Sequence, residues 1–210
     1  MGTRMPADSP PKVFLLSPAR AGGIRMGLLL SPRANFELAW QFQEKGAPIG
    51  ELFQFASGLY FRGKLAYARA FGRAPAGGAG ALAIAPGRGL LDVEHPITAG
   101  ELRAMGDVPV DVSDARYREP LERDARLLAE RLGKGGQAVL LGSIATGKYA
   151  DIFLDALGDR LLFPPSFVGR GDMSRGGLLL RAVRAKEELI YAPLRGAIRH
   201  GARPPRLKPY

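Results

Sequence analysis

Four short apolar runs, separated by stretches of helical periodicity, constrain the fold of this chain most strongly. Such runs are typical of buried strands, and their alternation with helices favours a parallel sheet that is covered on both faces. We therefore predict one α/β domain with a mostly parallel central sheet of about four to five strands and helices on both faces. The runs are residues 12–17 (KVFLLS), 81–85 (ALAIA), 137–141 (QAVLL) and 160–163 (RLLF).

Helical periodicity and capping residues predict the elements between these runs. Asn35 is expected to cap a helix over residues 36–43, because its side chain can accept from the first free backbone amides. Thr98 and Glu101 have the spacing of a capping box, with Thr98 as the cap. Further helices are predicted at residues 58–71, 98–105, 118–132, 149–157 and 177–188, and a short final strand at 189–192.

Composition and charge divide the chain into three parts. Residues 1–11 are polar and Pro-rich and are predicted to form a disordered leader, residues 12–194 the α/β domain, and residues 195–210 a flexible tail. The tail contains five Arg or Lys residues and no acid, in a chain whose net charge is +10. A basic tail favours an anionic partner such as nucleic acid, or it is a solvated segment that aids solubility.

Composition excludes several kinds of site. The chain has no Cys, which rules out disulfides, thiol nucleophiles and Cys-bound zinc. Its two His residues, His95 and His200, are far apart, so a His-rich metal site is excluded whereas a carboxylate Mg²⁺ site is not. We assign no metal site and no cofactor. No apolar run is long enough to span a bilayer, so we expect a cytoplasmic protein without a membrane partner.

The loop at residues 142–148 (GSIATGK) matches the phosphate-binding pattern G-x-x-x-x-G-K between a predicted strand and a predicted helix. Backbone amides and the helix dipole would favour an anion there, although a purely structural turn is an equal alternative. Tyr149 replaces the Ser or Thr that would hold Mg²⁺, which disfavours a nucleoside triphosphatase. The candidate ligand-binding residues of this loop are Gly142, Ser143, Thr146, Gly147 and Lys148.

A second Gly- and Arg-rich loop lies at residues 168–177 (VGRGDMSRGG). Arg170, Ser174 and Arg175 could bind a phosphate or carboxylate, and Asp172 is the one candidate catalytic residue, as a base or by orienting a hydroxyl. The alternative is helix capping by Asp172 or Ser174 together with an Arg–Asp ion pair.

Three further regions supply weaker candidates. Tyr60 could stack on a base while Lys64 meets a phosphate, although a solvated basic helix face would look the same in sequence. Arg20 and Arg88 follow the ends of predicted strands, where ligands of α/β sheets bind.

Residues 12–20 (KVFLLSPAR), 57–67 (SGLYFRGKLAY) and 84–91 (IAPGRGLL) resemble a group of uncharacterised bacterial domains that includes, more distantly, the peroxide-stress YaaA-like proteins. The resemblance covers the first half of the chain and implies an α/β domain and nucleic-acid binding. Arg20 stands where YaaA-like proteins have Lys, and their helix-hairpin-helix is not evident. GSIATGKY and FVGRGDMSRGG in the second half are similar to a narrower family of uncharacterised bacterial proteins.

Three hypotheses about function follow. The leading one is a protein that binds an anionic ligand, nucleic acid or nucleotide, at its Gly-rich and Arg-rich loops. The second is an enzyme that acts on a nucleotide, nucleoside or base by glycosyl or phosphoryl transfer, with Asp172 as acid or base. The third is a structural or interaction protein without a ligand.

Overall fold

The computed structural model describes residues 9–205 and residue 207, and these form a three-layer α/β fold. The strands are β1 (Lys12–Leu16), β2 (Ala47–Pro48), β3 (Ala81–Ala85), β4 (Gly89–Asp92), β5 (Pro96–Ile97), β6 (Gln137–Leu141), β7 (Leu161–Phe163) and β8 (Ala192–Pro193). The helices are α1 (Ile24–Leu30), α2 (Glu37–Lys45), α3 (Ile49–Ser57), α4 (Leu59–Phe71), α5 (Ala99–Gly106), α6 (Ala115–Leu132), α7 (Ala150–Leu157) and α8 (Asp172–Ala185).

The central sheet has six strands in the order β4-β3-β1-β6-β7-β8. The four inner strands are parallel, which confirms the mostly parallel sheet, and β1 lies at its centre with Leu16 opposite Leu141 of β6. The predicted strand number was too low, because the antiparallel edge strand β4 joins the four inner strands and the antiparallel strand β8 at the other edge. The edge strand β4 begins at Gly89, directly after residues 86–88, and was not predicted.

Side chains of β1 alternate between two hydrophobic cores, one on each face of the sheet. Phe14 and Leu16 pack with α1 to α5 and α8, whereas Val13 and Leu15 pack with α6 and α7. Strand residues that are buried on both faces require a covering layer on each side. The predicted helices on both faces are therefore confirmed.

Several local predictions are confirmed within a few residues. The helices α4, α6 and α7 occupy the predicted segments, and the capping box before α5 forms, with the Glu101 amide donating to Thr98 Oγ1 over 3.3 Å. The final strand is shorter and later than predicted. The Leu189 amide donates to the Tyr67 hydroxyl over 2.7 Å instead of joining the sheet, and β8 begins only at Ala192.

Other local predictions are wrong. Asn35 does not cap α2, whose first flanking residue is Phe36 and which has no side-chain cap. The helix predicted at 177–188 begins five residues earlier, at Asp172, after Gly171 and without a side-chain cap. Helices α1 and α3 were missed. Gly58, with φ of +60°, ends α3 immediately before α4, so two short helices follow each other without a loop.

The two ends of the described chain lie against the fold. The predicted leader falls mainly on residues 1–8, which lie outside the described residues, whereas the Pro11 carbonyl accepts from the Gln137 amide. In the predicted tail, Arg195 pairs with Asp159 and Arg199 with Asp151. Within the described part of the chain, no helix has both the length and the apolar character needed to cross a membrane.

Helices α4 and α8 cross at a pair of glycines. A Cβ on Gly63 would lie 2.7 Å from the carbonyl oxygen of Gly176, and a Cβ on Gly176 would lie 2.7 Å from the carbonyl oxygen of Leu59. The two backbones can approach this closely only because neither residue has a side chain. The crossing brings the first turns of both helices to the same end of the sheet.

We predict that Gly176→Ala destabilises the protein although it improves helix propensity. The added methyl overlaps the α4 backbone, and such overpacking costs about 1–3 kcal/mol. The free energy of unfolding from urea denaturation measures the effect. The adjacent Gly177→Ala is the matched control, because its Cβ meets only Leu207 Cδ1, at an ordinary 3.5 Å. Equal stabilities of the two variants would contradict a close glycine crossing.

Candidate functional site

A cavity of about 310 Å³ opens at the carboxyl ends of β1 and β6, near the lower end of the size range of small-molecule sites. The carboxyl edge of a parallel sheet is where α/β folds bind ligands. Three segments build most of the cavity: the residues after β1, the α3–α4 junction, and the loop after β6. The lining residues are Ser17, Pro18, Ala19, Arg20, Ser57, Tyr60, Lys64, Val110, Ser143, Tyr149 and Asp172.

Lys64 is the most unusual residue of this cavity, because its side chain is ionisable and yet the residue is only 1% exposed. Its Nζ donates to the Ser17 carbonyl oxygen over 2.6 Å and lies 2.9 Å from Ser17 Oγ. The same nitrogen lies 4.5 Å from the ring centre of Tyr60 and 4.6 Å from that of Phe61. Helix α4 thus places an amino group at the end of the central strand.

Burial changes the chemistry of this amino group. Removal from water disfavours the ammonium form and lowers the pKa of Lys64 from its ordinary 10.5 to about 7, against the opposing attraction of Asp172. Arg175 lowers the pKa further, by repulsion. A substantial fraction of Lys64 is therefore a neutral amine at neutral pH, which makes it a candidate base or nucleophile.

Tyr149 closes the loop after β6 next to Ser17. The Ser143 amide donates to the Tyr149 hydroxyl oxygen over 3.0 Å, and both Tyr149 and Ser17 line the cavity. Burial raises the pKa of Tyr149, so it stays a phenol. Gly142 makes room for this arrangement, because a Cβ there would lie 2.9 Å from both Ser17 Cβ and Tyr149 Oη.

Tyr60 contributes a buried donor without an acceptor. Its residue is 5% exposed, and its hydroxyl has no hydrogen-bond partner among the described residues. Burial raises the pKa of Tyr60, so the proton stays on the hydroxyl. Leaving such a group unpaired costs about 1–3 kcal/mol. A ligand in the cavity could supply the missing acceptor.

Two charged side chains stand at the rim. Arg20 is exposed and forms no ion pair with any residue in the described part of the chain. Asp172, in the first turn of α8, has a 69% exposed side chain and lies 3.4 Å from Arg175 Nη1. Arg175 itself is largely buried, donates to the Phe167 carbonyl oxygen and stacks over the Phe167 ring. Its guanidinium therefore supports the fold beneath the cavity.

The loop at 142–148 contributes to the cavity at its first half only. Ser143 lines the cavity, whereas Thr146 and Lys148 are exposed and the Lys148 charge acts on Asp111 instead. Gly147 packs against the Asp151 carboxylate, which pairs with Arg199 at 2.5 Å. A carboxylate of the protein thus occupies the region beside the start of α7 where the sequence predicted an anion.

The remaining predicted residues lie elsewhere. Arg170 is held by the Ser166 and Pro205 carbonyls and by Ser174 Oγ, and both Arg170 and Ser174 line a separate depression beside Met173. Arg88 pairs with Glu101 at 2.5 Å and does not line the cavity. The structure therefore brings together Arg20, Tyr60, Lys64, Gly142, Ser143 and Asp172, and it separates them from Thr146, Lys148, Arg170, Ser174 and Arg88.

Sequence reasoning missed Ser17 and the role of Tyr149. Ser17 is the first residue after β1, so its position at a strand end was a usable signal. In the sequence, Tyr149 stands out only as a departure from the phosphate-loop pattern. Nothing in the sequence indicated that Lys64 hydrogen-bonds to Ser17 or that Tyr149 lines the same cavity, because these residues are far apart along the chain.

A larger groove, of about 630 Å³, lies between α2, α3 and α4. It is lined by carboxylates and amides, including Glu37, Glu51 and Gln54, with Arg62 and Arg69 at its edge. Its lining contains neither Lys64 nor Tyr60. The smaller cavity is therefore the candidate site.

Comparisons with protein-family models, with curated proteins and with solved structures gave no significant match. The resemblance to the YaaA-like group stays a prediction from short motifs. The geometry of the cavity carries the functional argument.

We predict that Lys64 makes stability rise with pH. Its pKa is lower in the folded state than in the unfolded state, so the unfolded chain binds more protons between pH 7 and 9.5. The free energy of unfolding therefore increases with pH in this range. Relative to Lys64→Met, the wild-type protein should gain up to about 1.4 kcal/mol per pH unit in this window.

Urea denaturation at a series of pH values measures this difference. The upper limit of pH 9.5 avoids the buried tyrosines, whose raised pKa values act in the opposite direction above about pH 10. Lys134→Met, at an exposed lysine, is the control and should keep the wild-type slope. If Lys64→Met also keeps that slope, Lys64 is protonated throughout.

Proposed function

We propose that the cavity binds an anionic ligand of nucleotide size, either a free nucleotide or one nucleotide unit of a nucleic acid. The observation that carries the proposal is that the buried Lys64 and Arg20, which has no ion pair among the described residues, line one cavity at the carboxyl edge of a parallel sheet. Clefts in which polar groups converge at this edge are the default binding sites of such folds.

The lining suits both parts of a nucleotide. Arg20 offers a guanidinium that can hold a phosphate through two parallel hydrogen bonds. The hydroxyls of Ser17, Ser57 and Ser143 add neutral donors and acceptors. Tyr60 and Tyr149 add aromatic side chains to the lining, against which the apolar part of a ligand can pack. The net charge of +10 would also steer an anion toward the protein.

Binding of an anion should couple to Lys64. A negative charge in the cavity favours the ammonium form, so ligand binding would raise the pKa of Lys64 and take up a proton near pH 7. Proton uptake is measurable as a dependence of the binding enthalpy on the ionisation enthalpy of the buffer. This coupling would separate binding in the cavity from binding elsewhere on the basic surface.

Calorimetric titration with inorganic phosphate, with mononucleotides and with a single-stranded DNA oligonucleotide tests the proposal. We expect Arg20→Ala to weaken binding at least tenfold, which corresponds to about 1.4 kcal/mol. Lys134→Ala is the control for loss of one exposed positive charge and should bind as the wild type does.

The oligonucleotide arm distinguishes the two sources of the ligand. Binding to a nucleic acid should fall steeply as the salt concentration increases, because several counterions are released. Binding of a mononucleotide should fall much less. Failure of all three ligands to bind at low salt, or equal binding by Arg20→Ala, would overturn the proposal.

A second candidate function is an enzyme that acts on a nucleotide, nucleoside or base, by glycosyl or phosphoryl transfer. Asp172 supports it, because its carboxylate lines the same cavity as Lys64 and attracts the Lys64 charge. Mass-spectrometric analysis of nucleosides, nucleotides and oligonucleotides after incubation with the protein tests this candidate. Turnover that Asp172→Asn abolishes would support it, and turnover that survives the substitution would remove Asp172 from the chemistry.

A further inference from the structure

Ser17 occupies a position suited to a nucleophile. It follows the last residue of the central strand β1, and its amide donates to the Leu141 carbonyl oxygen over 3.2 Å, which fixes its backbone to β6. Its side chain lines the cavity. A reacting hydroxyl must be held in this way, because loss of position at the attacking atom costs much of the rate.

Lys64 is oriented as a base toward this hydroxyl. Its Nζ lies 2.9 Å from Ser17 Oγ, within the range for direct proton transfer, and the 2.6 Å hydrogen bond to the Ser17 carbonyl oxygen fixes its direction. In the neutral amine one N–H donates to the carbonyl, and the lone pair accepts from the Ser17 hydroxyl. A nucleophile, a base and a group that orients the base are the pattern of an activated hydroxyl.

Tyr149 lines the cavity beside Ser17. Its oxygen accepts from the Ser143 amide over 3.0 Å, so its own proton remains free for a group in the cavity. Donation of that proton would help to stabilise negative charge that develops near Ser17.

We propose that Ser17 is a nucleophile for acyl transfer, with Lys64 as its base and the unpartnered Tyr60 hydroxyl as donor to the oxyanion. Tyr60 is the independent observation, since the residue lines the same cavity and its buried O–H has no acceptor among the described residues. One neutral donor matches the single charged oxygen of a tetrahedral acyl intermediate. A transferred phosphoryl group would instead present several charged oxygens beside Ser17.

The reaction balances as follows. Ser17 Oγ forms a bond to the acyl carbon while its proton passes to Lys64 Nζ, and the carbonyl π electrons move onto the oxygen that faces Tyr60. The intermediate then expels the alcohol, which leaves with the proton held by Lys64, and an acyl-Ser17 ester remains. Water repeats both steps, with Lys64 again taking and returning a proton, and it releases the carboxylic acid.

The substrate class follows from the charges at the rim. Arg20 favours a substrate with a phosphate or another anionic group, so the structure points to an acyl ester carried on a nucleotide or a similar anion. This choice of substrate rests on the proposed function. The reactivity of Ser17 does not, because it can be measured with neutral reagents.

An alkyl fluorophosphonate and p-nitrophenyl acetate are the two reagents for the test. The fluorophosphonate forms an Oγ–P bond and releases fluoride, and the ester acetylates Oγ and releases p-nitrophenolate. Intact-mass and peptide analysis of the full chain should place one adduct of each reagent on Ser17. Ser17→Ala should give none at this peptide.

Lys64→Met should slow labelling at least 100-fold, within the range that a positioned base contributes. Lys134→Met should label at the wild-type rate. A melting curve confirms that Lys64→Met is folded, and the pH profile of the wild type serves as a second measurement if it is not. Labelling should increase with a midpoint near pH 7, as Lys64 loses its proton.

The groups that face Lys64 define what else could shift this midpoint. They are Tyr60 on α4, Tyr149 after β6, and Asp172 and Arg175 on α8. Asp172→Asn removes the only facing carboxylate among the described residues and should move the midpoint to lower pH. A midpoint that does not move would assign the titration to another group and contradict Lys64 as the base.

The remaining outcomes separate this inference from the proposed function. Absence of labelling, labelling of Tyr60 or Tyr149 instead of Ser17, or phosphonylation without acetylation would overturn acyl transfer by Ser17. Each of these can occur while calorimetry still shows nucleotide binding. Conversely, labelling of Ser17 without nucleotide binding would overturn the proposed nucleotide ligand, while the proposal that Ser17 is a nucleophile would stand.

Discussion

The hydrogen bond from Lys64 to the Ser17 carbonyl is the interaction on which the arrangement of the site depends. It joins helix α4 to the end of the central strand, and it lies in an environment from which water is excluded. Burial of an amino group is costly, so its partners must offset much of that cost. The carbonyl, the Ser17 hydroxyl and the two aromatic rings do so without supplying a full negative charge. The result is an amine that can exchange its proton near neutral pH.

The glycine crossing of α4 and α8 determines which charges surround this amine. Because Gly63 and Gly176 let the helices touch, Asp172 and Arg175 act on Lys64 in opposite directions. Arg175 is fixed by Phe167, whereas Asp172 is open to solvent and to any ligand. Packing that looks purely structural thus sets the electrostatics of the cavity.

The strands and most helices could be predicted from the sequence because apolar runs and capping pairs such as Thr98–Glu101 are local signals. The edge strand β4 and helices α1 and α3 could not, because short elements beside glycines look like turns. In the site, the sequence predicts Lys64, Tyr60 and Arg20 as contacts to a phosphate or a base. It does not predict the burial of Lys64, because that burial depends on Ser17 and on α8. The GSIATGK pattern was a local signal too, and the structure places a protein carboxylate, Asp151, beside Gly147.

The central claim is that Lys64 is a buried amine that loses its proton near neutral pH in a cavity open to a ligand. The most direct measurement is the pH titration of the Lys64 side-chain signals by NMR, with Lys64→Met used to assign them. We expect a midpoint near pH 7 and an upward shift of that midpoint when a nucleotide is added. A Lys64 that keeps its proton up to pH 10, or a midpoint that no anion moves, would contradict it.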